Sequence, residues 1–259
     1  MRLSRLLLPA LLALSGGAHA QGAPASEKPV IVLVHGAFAE SSSWEPVITR
    51  LEKDGYIVIA AANPLRSVAS DGAAVATVVR SIKGPVVLVG HSYGGPVITE
   101  AANGNANIKA LVYVAGFAPE TGESSATLST KFPGSTLGDA LSPVPLADGG
   151  QDLYIQPAKF HAQFAADVPA DKAAIMAATQ RPITAAALNE PTGKPAWKTL
   201  PSYMIYGTAD RNIPAAVMQF MAERAHSRKT VAIPGGSHAL MVSHPAEVTA
   251  MIEAAAAAK

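Results

Sequence analysis

Apolar runs rich in β-branched residues recur along the chain at Val30–Val34, Tyr56–Ala60, Val86–Val89, Ala110–Ala115, Tyr203–Tyr206 and Lys229–Ile233. The first, Val30-Ile31-Val32-Leu33-Val34, shows no polar alternation at all. A continuous apolar run of that length fits a strand covered on both faces, as in a parallel sheet. Between several runs lie stretches of helical periodicity: Trp44–Lys53, Asp71–Lys83, Pro96–Asn103, Pro214–His226 and Pro245–Ala257. Pro96, Pro214 and Pro245 each stand where a first helical turn tolerates a missing N–H. Strand–helix alternation of this kind predicts a doubly wound, mostly parallel α/β sheet. A helical bundle would leave the β-branched runs without a role.

The alternation breaks between Phe117 and Pro201. Ten of the 20 prolines fall between Pro119 and Pro201, and residues 119–157 carry no strong period. Short helical stretches follow at Ala158–Ala166, Ala170–Gln180 and Ile183–Asn189. These features predict a helical lid, about residues 117–201, inserted into one α/β domain that spans 30–259. Insertions at the carboxyl ends of parallel strands commonly cover the ligand crevice. The terminal Ala254–Ala258 run reads as a fraying helix end.

Composition narrows the class. The chain has 259 residues, 49% of them apolar and 15% charged, enough to fill a sizeable core. Met1–Arg5 carries two positive charges, Leu6–Leu14 is almost wholly apolar, and Ala18-His19-Ala20 places small residues at both cleavage-determining positions. This is the pattern of a secretory signal peptide, residues 1–20, followed by a flexible mature N-terminus over 21–29. Export to the periplasm or the medium is expected. The apolar run is too short to span a bilayer and no cysteine follows the cleavage point, so no membrane anchor is expected. The 20 basic and 19 acidic residues become 18 and 19 once Arg2 and Arg5 leave with the leader. Without a basic surplus, nucleic acid is not an expected partner. The absence of cysteine removes disulfides, thiolate catalysis and Cys-ligated metals.

The candidate chemistry centres on Val89-Gly90-His91-Ser92-Tyr93-Gly94-Gly95, between the strand ending at Val89 and a helix starting near Pro96. Gly90, Ser92 and Gly94 form the G-x-S-x-G nucleophile elbow in its strand–turn–helix context. A strained turn that pushes a serine outward needs neighbours without Cβ atoms. The helix N-terminus behind it favours a developing anion. A phosphate-binding reading lacks both G-x-G-x-x-G and a Walker lysine. Serine needs a base. Of the seven histidines, His19 leaves with the leader, His91 supports the turn, and His161 and His226 fall on helical patterns. Among His35, His238 and His244, the choice is His238. It lies in Pro234-Gly235-Gly236-Ser237-His238 directly after the last strand, whereas His244 precedes Pro245 and caps the last helix. A His238–His244 metal pair has the wrong spacing and no completing carboxylate.

Asp210, in Gly207-Thr208-Ala209-Asp210-Arg211 after a strand, is the candidate to orient the imidazole. The order Ser92, Asp210, His238 is that of the nucleophile-elbow fold. Otherwise Asp210 caps the helix near Pro214 or pairs with Arg211. Asp148, Asp152, Asp167 and Asp171 lie in the insertion and are expected to be solvated or to cap helices. An oxyanion hole needs two preorganised donors. The backbone N–H of Tyr93 and that of Ala37, in His35-Gly36-Ala37-Phe38, are the candidates.

HGAF followed by Trp44, GHSYGG, GTADRNIP and GGSHALMVSHP together resemble the α/β-hydrolase superfamily. The resemblance is to its small-lidded branch of plant methylesterases, hydroxynitrile lyases and related bacterial esterases. It implies hydrolysis of a small-molecule ester through an acyl-enzyme, with no cofactor and no metal. In that scheme Ser92 attacks, His238 moves the proton, Asp210 orients it, and the Ala37 and Tyr93 amides hold the oxyanion. The lyases of this branch resemble a pattern with threonine in the H-G-x motif and lysine after the histidine. Here Gly36 and Ala239 stand instead, which favours hydrolysis. A C–C bond lyase and a non-catalytic ligand-binding protein on the same fold are the alternatives.

Overall fold

The computed structural model describes residues 28–258, so the expected signal peptide and residues 21–27 lie outside the described residues. From the first strand, β1 (Val30–Val34), the chain passes a 3-10 turn at Ser41–Trp44 into α1 (Glu45–Lys53). Then come β2 (Val58–Ala61), α2 (Val68–Arg80), β3 (Val86–His91), α3 (Gly94–Ala102) and β4 (Ile108–Val114). The lid holds α4 (Ser125–Ser129), α5 (Leu137–Ala140), β5 (Leu141–Pro145), β6 (Gln151–Ile155), α6 (Pro157–Phe164), α7 (Ala170–Thr179), β7 (Ile183–Thr184) and α8 (Ala185–Asn189). The chain returns to the core with β8 (Ser202–Gly207), α9 (Ala215–Arg224), β9 (Lys229–Ile233), α10 (Leu240–Ser243) and α11 (Pro245–Ala257).

The six expected runs all form strands of one sheet, ordered β2-β1-β3-β4-β8-β9, with every neighbouring pair parallel. β3 is buried along its whole length and β1 beyond its first residue, which accounts for their unbroken apolar sequence. The order positions the site. From β1 the chain crosses to β2 on one side, and it then returns to β3 on the other. The connections diverge there and leave a crevice at the carboxyl ends of β1 and β3. That crevice receives the loops that begin at His35 and Ser92.

The lid departs from expectation. Beside its short helices it contains a three-stranded antiparallel sheet, β5-β6-β7. The sequence hides it because β5, Leu-Ser-Pro-Val-Pro, carries two prolines and β7 is two residues long. Proline is tolerated in β5 because that strand is an edge. The expected helix Ile183–Asn189 splits at Thr184, whose hydroxyl caps α8 by accepting from Ala187 N–H. Likewise α2 starts at Val68, earlier than its apolar period suggests, because Ser67 caps it. The terminal alanine run is docked and not frayed. Ala255 and Ala256 are buried, and Lys109 Nζ donates to Ala256 O at 2.8 Å.

β1 and β3 both run into buried histidines. His35 Nδ1 lies 2.9 Å from Gly36 O, and its Nε2 accepts from Asn63 N–H at 3.1 Å. Asn63 Nδ2 returns a bond to His35 O at 2.8 Å. One ring nitrogen thus donates and the other accepts, which fixes a neutral tautomer. Burial holds both His35 and His91 below the usual imidazole range, and for His91 the neighbouring His238 adds to the effect.

Two outcomes follow for stability. A Cβ built at Gly94 would sit 2.5 Å from Val34 O, whereas one at Gly138 meets nothing within 4 Å. Gly94→Ala is expected to destabilise by about 1–3 kcal/mol and Gly138→Ala by less than about 0.5 kcal/mol, read by urea unfolding. The second concerns pH. The unfolded chain titrates its histidines near about 6.5, so below that value it binds more protons than the fold, and stability rises with pH. The urea midpoint is expected to fall between pH 7.5 and 5.5. Asp71, whose carboxyl burial pushes up, gives the opposite slope just above the ordinary carboxylate value. A midpoint unchanged across the higher window would show that His35 and His91 do not titrate as described.

Candidate active site

Ser92 occupies the turn between β3 and α3 with φ of 53°, a left-handed conformation that costs an L-residue about 1–2 kcal/mol. The surroundings enforce it. Ser92 N–H is 3.1 Å from Ala115 O and 3.3 Å from Val114 O, and Ser92 O accepts from Gly95 N–H at 2.9 Å and Phe117 N–H at 3.2 Å. A Cβ at Gly90 would lie 2.5 Å from Gly94 O, and one at Gly36 would lie 2.6 Å from Ser92 Cβ. The glycines are therefore fixed by close backbone approach. Gly36 also carries the first-strand loop directly against Ser92.

On either side of this serine are two backbone donors. Ala37 and Tyr93 are buried, and among the described residues neither amide has a hydrogen-bond acceptor within the protein. Buried N–H groups without acceptors are rare, because each forfeits its hydrogen bond with water. Tyr93 lies just before α3, so the helix dipole adds to its amide. The Tyr93 side chain points away into the core, where its phenol donates to Asp71 Oδ2 at 3.1 Å. Burial and that carboxylate hold the phenol proton far above its ordinary range.

The loops after β8 and β9 bring Asp210 to His238. A Cβ at Gly207 would overlap the Gly236 carbonyl, so glycine alone lets the two loops touch. Ala209 N–H donates to Gly236 O at 3.0 Å. Both side chains are buried, and His238 Nδ1 lies 2.6 Å from Asp210 Oδ2. The other carboxylate oxygen accepts from Asn212 N–H at 2.7 Å and Ile213 N–H at 3.0 Å. Asp210 thus serves the turn with one oxygen and the imidazole with the other. Nδ1 donates to the carboxylate, which leaves Nε2 free to take a proton.

His91 joins the two halves. It sits immediately before Ser92, and its Nε2–H donates to the backbone carbonyl of His238 at 3.0 Å. The two rings lie 4.7 Å apart. Its own Nδ1 is buried without a partner, consistent with a ring that stays neutral. Among the described residues Ser92 Oγ itself makes no hydrogen bond, and the link from the Ser92 turn to the His238 loop runs through His91. Sequence reasoning gave His91 only a supporting role in the turn. The bond to His238, 147 positions further along the chain, had no local signal.

The lid covers the site with aromatic rings. Phe164, in α6, packs edge-on against His238 at 5.0 Å, His91 at 6.0 Å and Phe38 at 6.4 Å. A cavity of about 350 Å³ between α7 and the Ser41–Trp44 turn shares Phe38 as a wall, together with Glu40, Ser42, Met176, Gln180 and Val242. Two aspartates expected to be solvated or capping are tied to the core instead. Asp152 pairs with Arg66 at 2.7 Å, and Asp167 accepts from Ser237. His244 stands outside the site, 2.9 Å from Ser243 Oγ and 3.4 Å from Asp167 Oδ2. Among the described residues there is no group of three or more His, Asp and Glu placed to hold a metal ion, and no helix long and apolar enough to cross a membrane.

Comparison with known proteins agrees with this architecture. Residues 31–251 match the model of the alpha/beta hydrolase family. A carbendazim hydrolyzing esterase of a Nocardioides species is 34% identical over 113 residues, 39% of this chain and 47% of that protein, so the match spans about half of its length. An alpha/beta hydrolase of Aspergillus novofumigatus is 25% identical over 252 residues, 88% of this chain and 97% of its own. In three dimensions, polyneuridine aldehyde esterase superposes with a TM-score of 0.77 at 19% identity, over 88% of this chain and 99% of that one, which speaks for the fold alone. The protein belongs to the alpha/beta hydrolase family.

Proposed function

We propose that the protein hydrolyses small to medium carboxylic esters through an acyl-enzyme on Ser92. The observation that carries this reading is the buried 2.6 Å His238–Asp210 pair, tied through His91 to the turn that holds Ser92 at φ 53°. The esterase relatives support the same chemistry. Ser92 Oγ attacks the ester carbonyl carbon while His238 Nε2 takes its proton. The carbonyl oxygen becomes an oxyanion, which the Ala37 and Tyr93 amides receive in place of an internal acceptor. Collapse breaks the ester C–O bond, and the departing alcohol takes the proton back from His238. Water then attacks the acyl-enzyme with His238 again as base, which releases the acid and restores Ser92. Asp210 holds the imidazole in the tautomer with Nδ1–H and stabilises its cation. Ala239, buried directly after His238, offers no charge to hold a departing cyanide, and this favours hydrolysis over lyase chemistry.

Hydrolysis of p-nitrophenyl acetate, butyrate and octanoate is the direct test. Ser92→Ala and His238→Ala are expected to lower kcat by at least about 1,000-fold, and Asp210→Asn by about 10,000-fold through the wrong imidazole tautomer. Unchanged turnover in Ser92→Ala would remove the serine from the mechanism. We further propose that residues 1–20 direct export, on the charged, apolar and small-residue pattern of that segment. Mass analysis of the protein made in a Gram-negative host is expected to find Gln21 at its N-terminus outside the cytoplasm. An N-terminus at Met1 in the cytoplasm alone would contradict it.

A further inference from the structure

The backbone around His238 is held from two sides, and the second hold comes from the lid. From the core, His91 Nε2–H donates to His238 O at 3.0 Å. From the lid, Asp167, in the segment between α6 and α7, reaches the residue directly before the histidine. Its Oδ2 accepts from Ser237 N–H at 3.0 Å, and its Oδ1 accepts from the Ser237 hydroxyl. Ser237 Oγ also lies 3.4 Å from Phe164 O and accepts from Ala239 N–H at 3.4 Å. The lid therefore grips the position before His238, and the same Ser237 hydroxyl reaches on to the position after it. Phe164, three residues before Asp167, lays its ring edge-on to the imidazole at 5.0 Å. Both oxygens of Asp167 are engaged by one core residue, which an aspartate that served only to solvate the lid would not require.

We propose that Asp167 is a lid-borne positioning residue for the base, so that the Ser237–His238–Ala239 segment is set for proton transfer by its hold on Ser237. The inference rests on the proposed role of His238. Charge-assisted bonds from a carboxylate to an N–H and an O–H are among the stronger hydrogen bonds, and two in parallel fix orientation as well as distance. Without those two bonds Ser237 is free, and one of the two holds on the imidazole backbone is lost. The register of the base is thereby set in part by one side chain of the insertion. His244 Nδ1 lies 3.4 Å from Asp167 Oδ2 and 2.9 Å from Ser243 Oγ.

The test is steady-state kinetics of Asp167→Ala and Asp167→Asn on p-nitrophenyl acetate and octanoate, with the rate of covalent labelling of Ser92 by a fluorophosphonate measured alongside. A displacement of about 1 Å at a catalytic group can cost roughly 100-fold. In Asp167→Ala, kcat is expected to fall by about 10- to 100-fold with KM within about threefold. The loss should be the same for both acyl chains, and labelling should slow in parallel. Asp167→Asn keeps one acceptor for Ser237 N–H and is expected to fall between that variant and wild type. It decides the matter if the alanine variant does not fold. Turnover within twofold of wild type in both variants would overturn the proposal. So would a rise in KM that grows with chain length while kcat holds, since that would make Asp167 a wall of the binding pocket. Ser92→Ala in the same assay separates the two claims, because turnover there would defeat the serine reading itself and not the role of Asp167.

Discussion

The site rests on one constraint, the left-handed backbone of Ser92. An L-residue does not hold φ of 53° unless its surroundings over-determine it, and here they do. The Ser92 carbonyl and amide are both taken up by the segment after β4 and by Gly95, leaving the chain no room to relax. The glycines around the turn are consequences of that geometry. Gly90 and Gly94 are pressed against each other, Gly94 rests on Val34 O, and Gly36 rests on Ser92 itself. By the same packing the first-strand loop that carries Ala37 is brought against Ser92, directly before Tyr93, and among the described residues neither amide has an acceptor. A strained serine and two unspent donors are thus products of one crowded junction at the switch point of the sheet.

Around that junction, buried polar groups act as spacers. His35 ties the ends of β1 and β2 through Asn63, and His91 ties the end of β3 to the carbonyl of His238. Both rings work as neutral groups with a fixed tautomer, which burial enforces. Asp71 performs a comparable service beneath Tyr93, since it accepts from the phenol and from Arg66 N–H. Arg66 in turn reaches the lid through Asp152 and Pro182 O. Lid and core are joined on one flank through Arg66 and on the other through Asp167. The first attachment leads through Asp71 to the side chain of Tyr93, directly after Ser92, and the second ends on Ser237, directly before His238.

Local signals carried most of the sheet and none of the bracing. The six strands were legible because burial on both faces demands unbroken apolar runs, and Ser92 because its turn demands glycine at fixed offsets. Asp210 and His238 could be read because loops that follow strands gather at one edge of a parallel sheet. The lid was only half legible. β5 contains two prolines and β7 two residues, so neither the apolar period nor β-propensity marks them, and edge placement is what makes them strands. The roles of His91 and Asp167 depend on partners far away in the chain, 147 and 70 positions further on. A histidine before a serine and an aspartate in a loop look the same in sequence whether or not such partners exist. The alanine run at the C-terminus misled for a related reason, because its anchor is Lys109 in β4.

The central claim is that a covalent acyl group forms on Ser92. Rapid quenching of the enzyme in acid during turnover of p-nitrophenyl butyrate, followed by proteolysis and peptide mass analysis, tests it most directly. A butyryl increment is expected on the peptide that contains Ser92, absent from an unreacted control and present within one turnover. Steady turnover with no acyl adduct on that peptide, or with the adduct on another residue, would contradict it.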